Sequence, residues 1–258
     1  MLNIALAVLI ALGVWWVSTG VILFLDGLPR STYSRSMTAA TGLLGAALYG
    51  VARVRDDMSA MGAYMGFGCG IVIWGWLEMS FLMGYLTGSR RSACPSSCSG
   101  WRHFFHAIQA ILYHELGILS LLAVVTALSW SGGNHVAAGS IAILWAMRAS
   151  AKLNLFFGVR NLSIELLPAD LAYLSSFFRK QPMNFLFPFS VTAGTVGAVL
   201  LARMTFAPGA SDFDVTSASL LSTLTVLGIL EHWMLVLPFP ATALWSCYSA
   251  RISPRSSG

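Results

Sequence analysis

The chain has 258 residues, 57% of them hydrophobic and only 10% charged, with a mean hydropathy of +0.73 and a formal net charge of +5. Soluble domains average about 25% charged residues, so water is not the expected solvent for most of this surface, and an all-α polytopic membrane protein is the expected class. The positive charge needs no nucleic-acid partner, because membrane proteins concentrate Lys and Arg in their cytoplasmic connections, and no basic patch with interleaved aromatics is present.

Seven apolar runs follow in chain order. Residues 3–24 are long enough to span a bilayer. No Lys or Arg precedes them, whereas a secretory signal needs a basic start and a small-residue cleavage site; the run reads as a retained helix. The second, 37–53, is short and rich in Gly and Ala, which suits close helix packing rather than lipid exposure. The third, 61–86, is long enough to tilt. Before the fourth, 103–128, "RSACPSSCSG" sets Cys94 and Cys98 in a C-x3-C spacing. Without a second ligand pair nearby, the expectation is a turn closed by Pro95, its thiols reduced on the cytoplasmic side, rather than a zinc site. The fifth, sixth and seventh runs are 136–157, 185–203 and 217–237.

Two connections stand out. Residues 158–184 carry Leu166, Leu167, Leu171, Leu174, Phe177 and Phe178 and read as a cytoplasmic segment lying at the membrane surface. Pro238 and Pro240 stop the seventh helix, leaving 238–258 as an interfacial segment and tail. The whole chain, 1–258, reads as one seven-helix domain.

Basic residues set the expected orientation. Arg30, Arg35, Arg90, Arg91, Arg102, Arg160, Arg179, Lys180, Arg251 and Arg255 fall on one side, and only Arg53, Arg55 and Arg203 on the other. Positive-inside puts the N-terminus in the periplasm and the C-terminus in the cytoplasm. In that orientation Glu78, His114, Glu115, Lys152, Asn154, Glu231 and His232, from four different helices, share the cytoplasmic half of the membrane. Each ionisable group facing lipid would cost a few kcal/mol, so these residues are expected to face one another around a pocket, with Lys152 or Arg148 as counter-ion.

Helix geometry restricts that pocket. Adjacent residues point about 100° apart, so His114 and Glu115 cannot both face its centre; His114 and Glu231 are the expected central pair, with Glu115 and His232 turned sideways. A metal such as iron would need single ligands from several helices, with Glu78, His106, His114 and Glu231 as candidates. His106 and His114 lie about 12 Å apart along one helix and cannot share an ion; His103 and His106, at i and i+3, could, but sit near the interface. Glu-x-x-His and H-E-x-x-H pairs are absent. No Lys in the seventh run supports a retinal protein, and no catalytic residue is assigned.

The stretches "WGWLEMSFLMGYLTGSRR", "HELGIL", "KLNLFFGVRNLSIELLPADLAYLSSFF" and "LEHWMLVLP" together resemble the PuhE-type photosynthetic complex assembly proteins of anoxygenic phototrophic bacteria. The resemblance implies a protein of the bacterial cytoplasmic (inner or intracytoplasmic) membrane. It also implies reaction-centre or light-harvesting subunits as partners, beside membrane lipids, and an influence on bacteriochlorophyll supply. An intramembrane His114 or His232 could then be the axial ligand of a bacteriochlorophyll, with Asn154 and Asn161 hydrogen-bonding its ring substituents. The alternative is a metal-dependent membrane oxidoreductase acting on a tetrapyrrole or lipophilic substrate, and a third reading is a structural partner whose buried charges serve packing.

Overall fold

In the computed structural model, residues 1–95 and 97–238 are described. The expected tail, with Arg251 and Arg255, lies beyond Pro238 and outside them. Among the described residues seven helices are long and apolar enough to cross a membrane: α1 (Leu2–Asp26), α2 (Tyr33–Val54), α3 (Ala60–Leu82), α4 (Gly100–Ser129), α5 (Val136–Phe157), α6 (Leu186–Thr205) and α7 (Asp212–Val236). The chain is an all-helical integral membrane protein.

Helices α3 and α7 form the centre. The most apolar stretch of α3 is 67% buried and that of α7 50%, against 11% for α1 and 17% for α4 and α6. Small residues let α3 come close to α5: a Cβ on Gly70 would stand 3.0 Å from the Ala137 carbonyl oxygen, the kind of backbone approach that packs membrane helices. In α2 the Gly and Ala content serves packing only in part. A Cβ on Gly50 would meet Cys69 Sγ at 2.7 Å, but Gly42 and Gly45 have open space around them.

Polar residues set several helix ends. Helix α7 starts five residues before its apolar run, because Ser211 and Asp214 form a reciprocal capping box. Asn134 caps α5, accepting from Val136 N–H at 3.2 Å while its amide donates to Gly62 O at 2.8 Å. Asn184 does the same for α6, accepting from the Leu186 and Phe187 N–H groups at 2.8 and 3.1 Å. Helix α3 ends at Leu82 rather than 86. Gly84, at φ +79°, turns the chain, and the Tyr85 and Leu86 N–H groups both return to Ser80 O at 2.9 Å.

Beyond that turn the chain doubles back along α4. The His114 N–H donates to Thr87 O at 2.9 Å, and Arg90 N–H to Gln109 O at 3.2 Å. The 158–184 connection covers the same end of the bundle. Its 3-10 turns, Ile164–Leu166 and Ala169–Phe177, bury Leu171, Leu174 and Phe177 against Phe81 of α3 and Ala110 of α4. Its two ends meet where the Val159 N–H donates to Arg179 O and Gln181 N–H to Val159 O, both at 3.1 Å. An Arg30–Asp170 ion pair joins it to the α1–α2 connection.

Candidate functional site

Four helices bring their ionisable side chains to one level of the bundle. Glu78, on α3, is buried; its Oε2 accepts from Arg148 Nη2 of α5 at 3.0 Å. On its other side, Oε1 lies 3.9 Å from His114 Nε2 of α4. That separation exceeds hydrogen-bond length, and among the described residues neither atom has a hydrogen-bond partner. The His114 ring is fully buried, its centroid 4.5 Å from that of Phe81.

Glu115 turns the other way around α4. Its Oε1 accepts from Lys152 Nζ at 2.6 Å and its Oε2 from Trp145 Nε1 at 3.0 Å. Lys152 Nζ also stands 5.8 Å from the centre of the Phe81 ring, within cation–π range. Adjacent positions on α4 therefore engage different neighbours: His114 faces α3, and Glu115 faces α5.

On α7, Glu231 Oε1 accepts from Trp15 Nε1 of α1 at 3.2 Å. It shares a cavity of about 130 Å³ with Glu78, Arg148, Trp15, Ser18 and Thr19, and Arg148 attracts both carboxylates. The Arg148 side chain is exposed, 45% accessible, and lines this cavity. His232 points elsewhere and is buried: Nδ1 lies 2.8 Å from Gly228 O and Nε2 2.9 Å from Ser150 Oγ. A carbonyl only accepts, so these partners fit an Nδ1–H imidazole accepting from the serine.

The two asparagines are bracing groups away from the cavity. Asn154 is buried, donating to Ser150 O and Ser190 Oγ at 2.9 Å each and accepting from Asn184 Nδ2 at 3.1 Å. Asn161 caps the end of α7, donating to Met234 O at 2.7 Å and Leu237 O at 2.5 Å. His106 is also apart, its Nδ1 3.6 Å from Cys94 Sγ and 3.3 Å from Cys98 Sγ. The Asn134 and Asn184 caps escaped the sequence reading, although an Asn just before an apolar run is a helix-start signal.

This arrangement does not fit the cofactors considered from sequence. A pocket for a drug-sized ligand measures roughly 300–1,000 Å³, so a tetrapyrrole does not enter a cavity of about 130 Å³. His114 is sealed against Phe81, and both ring nitrogens of His232 are engaged. Neither is open as an axial ligand. An iron between Glu78 and Glu231 would meet the Arg148 guanidinium, which already supplies their positive charge. What the geometry does chemically is neutralise buried and half-buried carboxylates and fasten helices together.

The features define a polytopic helical membrane protein whose helices are braced by buried and half-buried charged groups. The chain belongs to the family described as "Protein of unknown function (DUF3623)", which matches residues 1–255. A protein of Rhodobacter capsulatus, described as an uncharacterized 30.4 kDa protein in the puhA 5′ region, is 38% identical over 245 residues, covering 93% of this chain and 89% of that protein. No solved structure matches the chain.

Proposed function

We propose that this chain is a PuhE-type assembly factor for the photosynthetic reaction centre and core light-harvesting complex. It would reside in the bacterial cytoplasmic membrane, its N-terminus periplasmic and its C-terminus cytoplasmic. The observation that carries this reading is the likeness over nearly the whole length to a protein placed in the puhA 5′ region, which associates the chain with photosynthesis genes. The four stretches that resemble the assembly family are also those that supply Glu78, His114, Glu115, Lys152 and Glu231 to the charged chain. Arg148 and Lys152 pair with Glu78 and Glu115 and tie neighbouring helices, which favours a partner-binding scaffold over the oxidoreductase alternative. Any handling of bacteriochlorophyll would use an outer face of the bundle, because the interior cavity is too small.

Deletion of the gene in a phototrophic host tests this. Reaction-centre and core-antenna levels, read by membrane absorbance, should fall and return with the wild-type chain. Complementation with Glu78→Gln, His114→Ala or Glu231→Gln should restore them incompletely while the protein remains in the membrane. Normal complex levels in the deletion strain would overturn the proposal.

A further inference from the structure

The connection between α3 and α4 brings three soft or borderline metal-ligand side chains to one spot, with a fourth at its edge. Cys94 Sγ, Cys98 Sγ and His106 Nδ1 all lie within 4.8 Å of one another, with Cys94–His106 at 3.6 Å and Cys98–His106 at 3.3 Å. His103 Nδ1 approaches Cys94 Sγ to 3.2 Å. A tetrahedral zinc, with Zn–S near 2.3 Å and Zn–N near 2.05 Å, requires sulfur–nitrogen separations of about 3.5 Å. The observed contacts already have that spacing.

We infer that Cys94, Cys98 and His106 bind a zinc ion, with a water, or His103 after a small shift from its place beside Cys94, completing the tetrahedron. Two thiolates and an imidazole, completed tetrahedrally, suit zinc among common divalent ions. The spacing C-x3-C-x4-H-x2-H is local in sequence, and each part is braced. Cys98 N–H returns to Pro95 O at 2.9 Å, closing the loop. His103 and His106 lie three positions apart near the start of α4 and so share one helix face. Arg90 holds the loop through Ser92 O and Ala93 O at 3.2 and 3.0 Å. The Cys94 N–H donates to Ser176 Oγ at 2.9 Å, and the His103 ring stacks on Phe156, with centroids 5.3 Å apart. The ion would clamp the start of α4 to the preceding loop and, through Ser176, to the 158–184 connection. The inference is independent of the proposed assembly role.

The test uses the full-length chain in detergent, purified under reducing conditions with a histidine-free tag, supplied with zinc and dialysed. Elemental analysis should give about one zinc per chain. Cobalt in its place should give thiolate-to-metal charge-transfer bands and the d–d absorption of a tetrahedral site, a readout that needs no variant. Cys98→Ser and His106→Gln should reduce zinc at least about tenfold, whereas Cys69→Ser on α3 should not. Size-exclusion profiles check that the variants remain folded. Zinc well below one per chain in the reduced wild type, octahedral cobalt spectra, or full zinc retention in Cys94→Ser/Cys98→Ser would each overturn the site.

Discussion

Replacing Arg148 with Met should harm stability more than replacing its partner, Glu78, with Gln. The Glu78 side chain is 8% accessible and that of Arg148 45%, so the two variants strand very different groups. Arg148→Met leaves a carboxylate that is only 8% accessible, with His114, 3.9 Å away, and Lys152 as its remaining basic neighbours. Removing one partner of a buried pair costs about 3–5 kcal/mol. The stranded carboxylate escapes by taking up a proton, at about 4 kcal/mol at pH 7 for an ordinary carboxylate, which sets a ceiling. A loss of about 3 kcal/mol is therefore expected, shrinking as the pH falls toward 5. Glu78→Gln strands a guanidinium that keeps Glu231 nearby and lines a cavity of about 130 Å³, with room for about four waters at roughly 30 Å³ each. Its loss should be about 1–2 kcal/mol, at the weak end of charged hydrogen bonds. The double variant should be milder than Arg148→Met alone by about 2 kcal/mol, since no carboxylate is stranded at Glu78. Unfolding of detergent-solubilised protein by titrated SDS, followed by tryptophan fluorescence, supplies the three midpoints. A double variant no better than Arg148→Met, or a Glu78→Gln loss as large, would refute the reasoning.

Gly88→Ala should dislodge the α3–α4 connection, because the new Cβ would lie 2.0 Å from Gln109 O and 2.5 Å from the Ala110 carbonyl carbon, backbone atoms that cannot rotate away; faster proteolysis between Thr87 and Gly100 is the readout. Asn184→Ala removes a buried amide bonded to Asn154, Gly158, Leu186 and Phe187 and should cost about 2–3 kcal/mol, more than the roughly 1 kcal/mol of an exposed N-cap, in the same unfolding assay. A C-terminal phosphatase fusion should be inactive and a fluorescent-protein fusion bright, as the distribution of Arg and Lys requires; an active phosphatase there would reverse the proposed orientation.

Hydropathy made the seven helices legible, because each needs about 20 apolar residues and little else. It misplaced ends set by hydrogen bonds, as at Ser211 before α7 and Gly84 after α3. The shared depth of Glu78, His114 and Glu231 followed from counting residues along alternating helices. Their pairing did not, since rotation about each axis decides whether Arg148 or Lys152 meets Glu78. Asn161 looked like a ligand group because its partners, the last carbonyls of α7, lie more than 70 positions away. The approach of His106 to Cys94 and Cys98 was not legible from the C-x3-C spacing alone, because the path of the loop decides whether the start of α4 returns onto it.

The adjacency of His114 and Glu115 acquires a physical sense from the exposure of α4. Lipid is as apolar as the core, so burial of hydrophobic surface supplies little force to draw a membrane helix inward; packing and interhelical hydrogen bonds do that work. Helix α4 is the longest, yet its most apolar stretch is only 17% buried, leaving it few packing contacts for its length. Polar links compensate at successive levels. Cys94, Cys98 and His106 meet near its start, and the Gln109 carbonyl and His114 N–H hold the returning chain. One turn contributes both His114 toward α3 and Glu115 toward α5. Interhelical hydrogen bonds in membranes average about 0.6 kcal/mol and reach nearly 2, so several are needed to fix a helix of 30 residues. Two ionisable residues side by side let a single turn reach two neighbours at once, Glu115 by hydrogen bonds to Lys152 and Trp145 of α5 and His114 by packing its ring on Phe81 of α3 beside the Glu78 carboxylate.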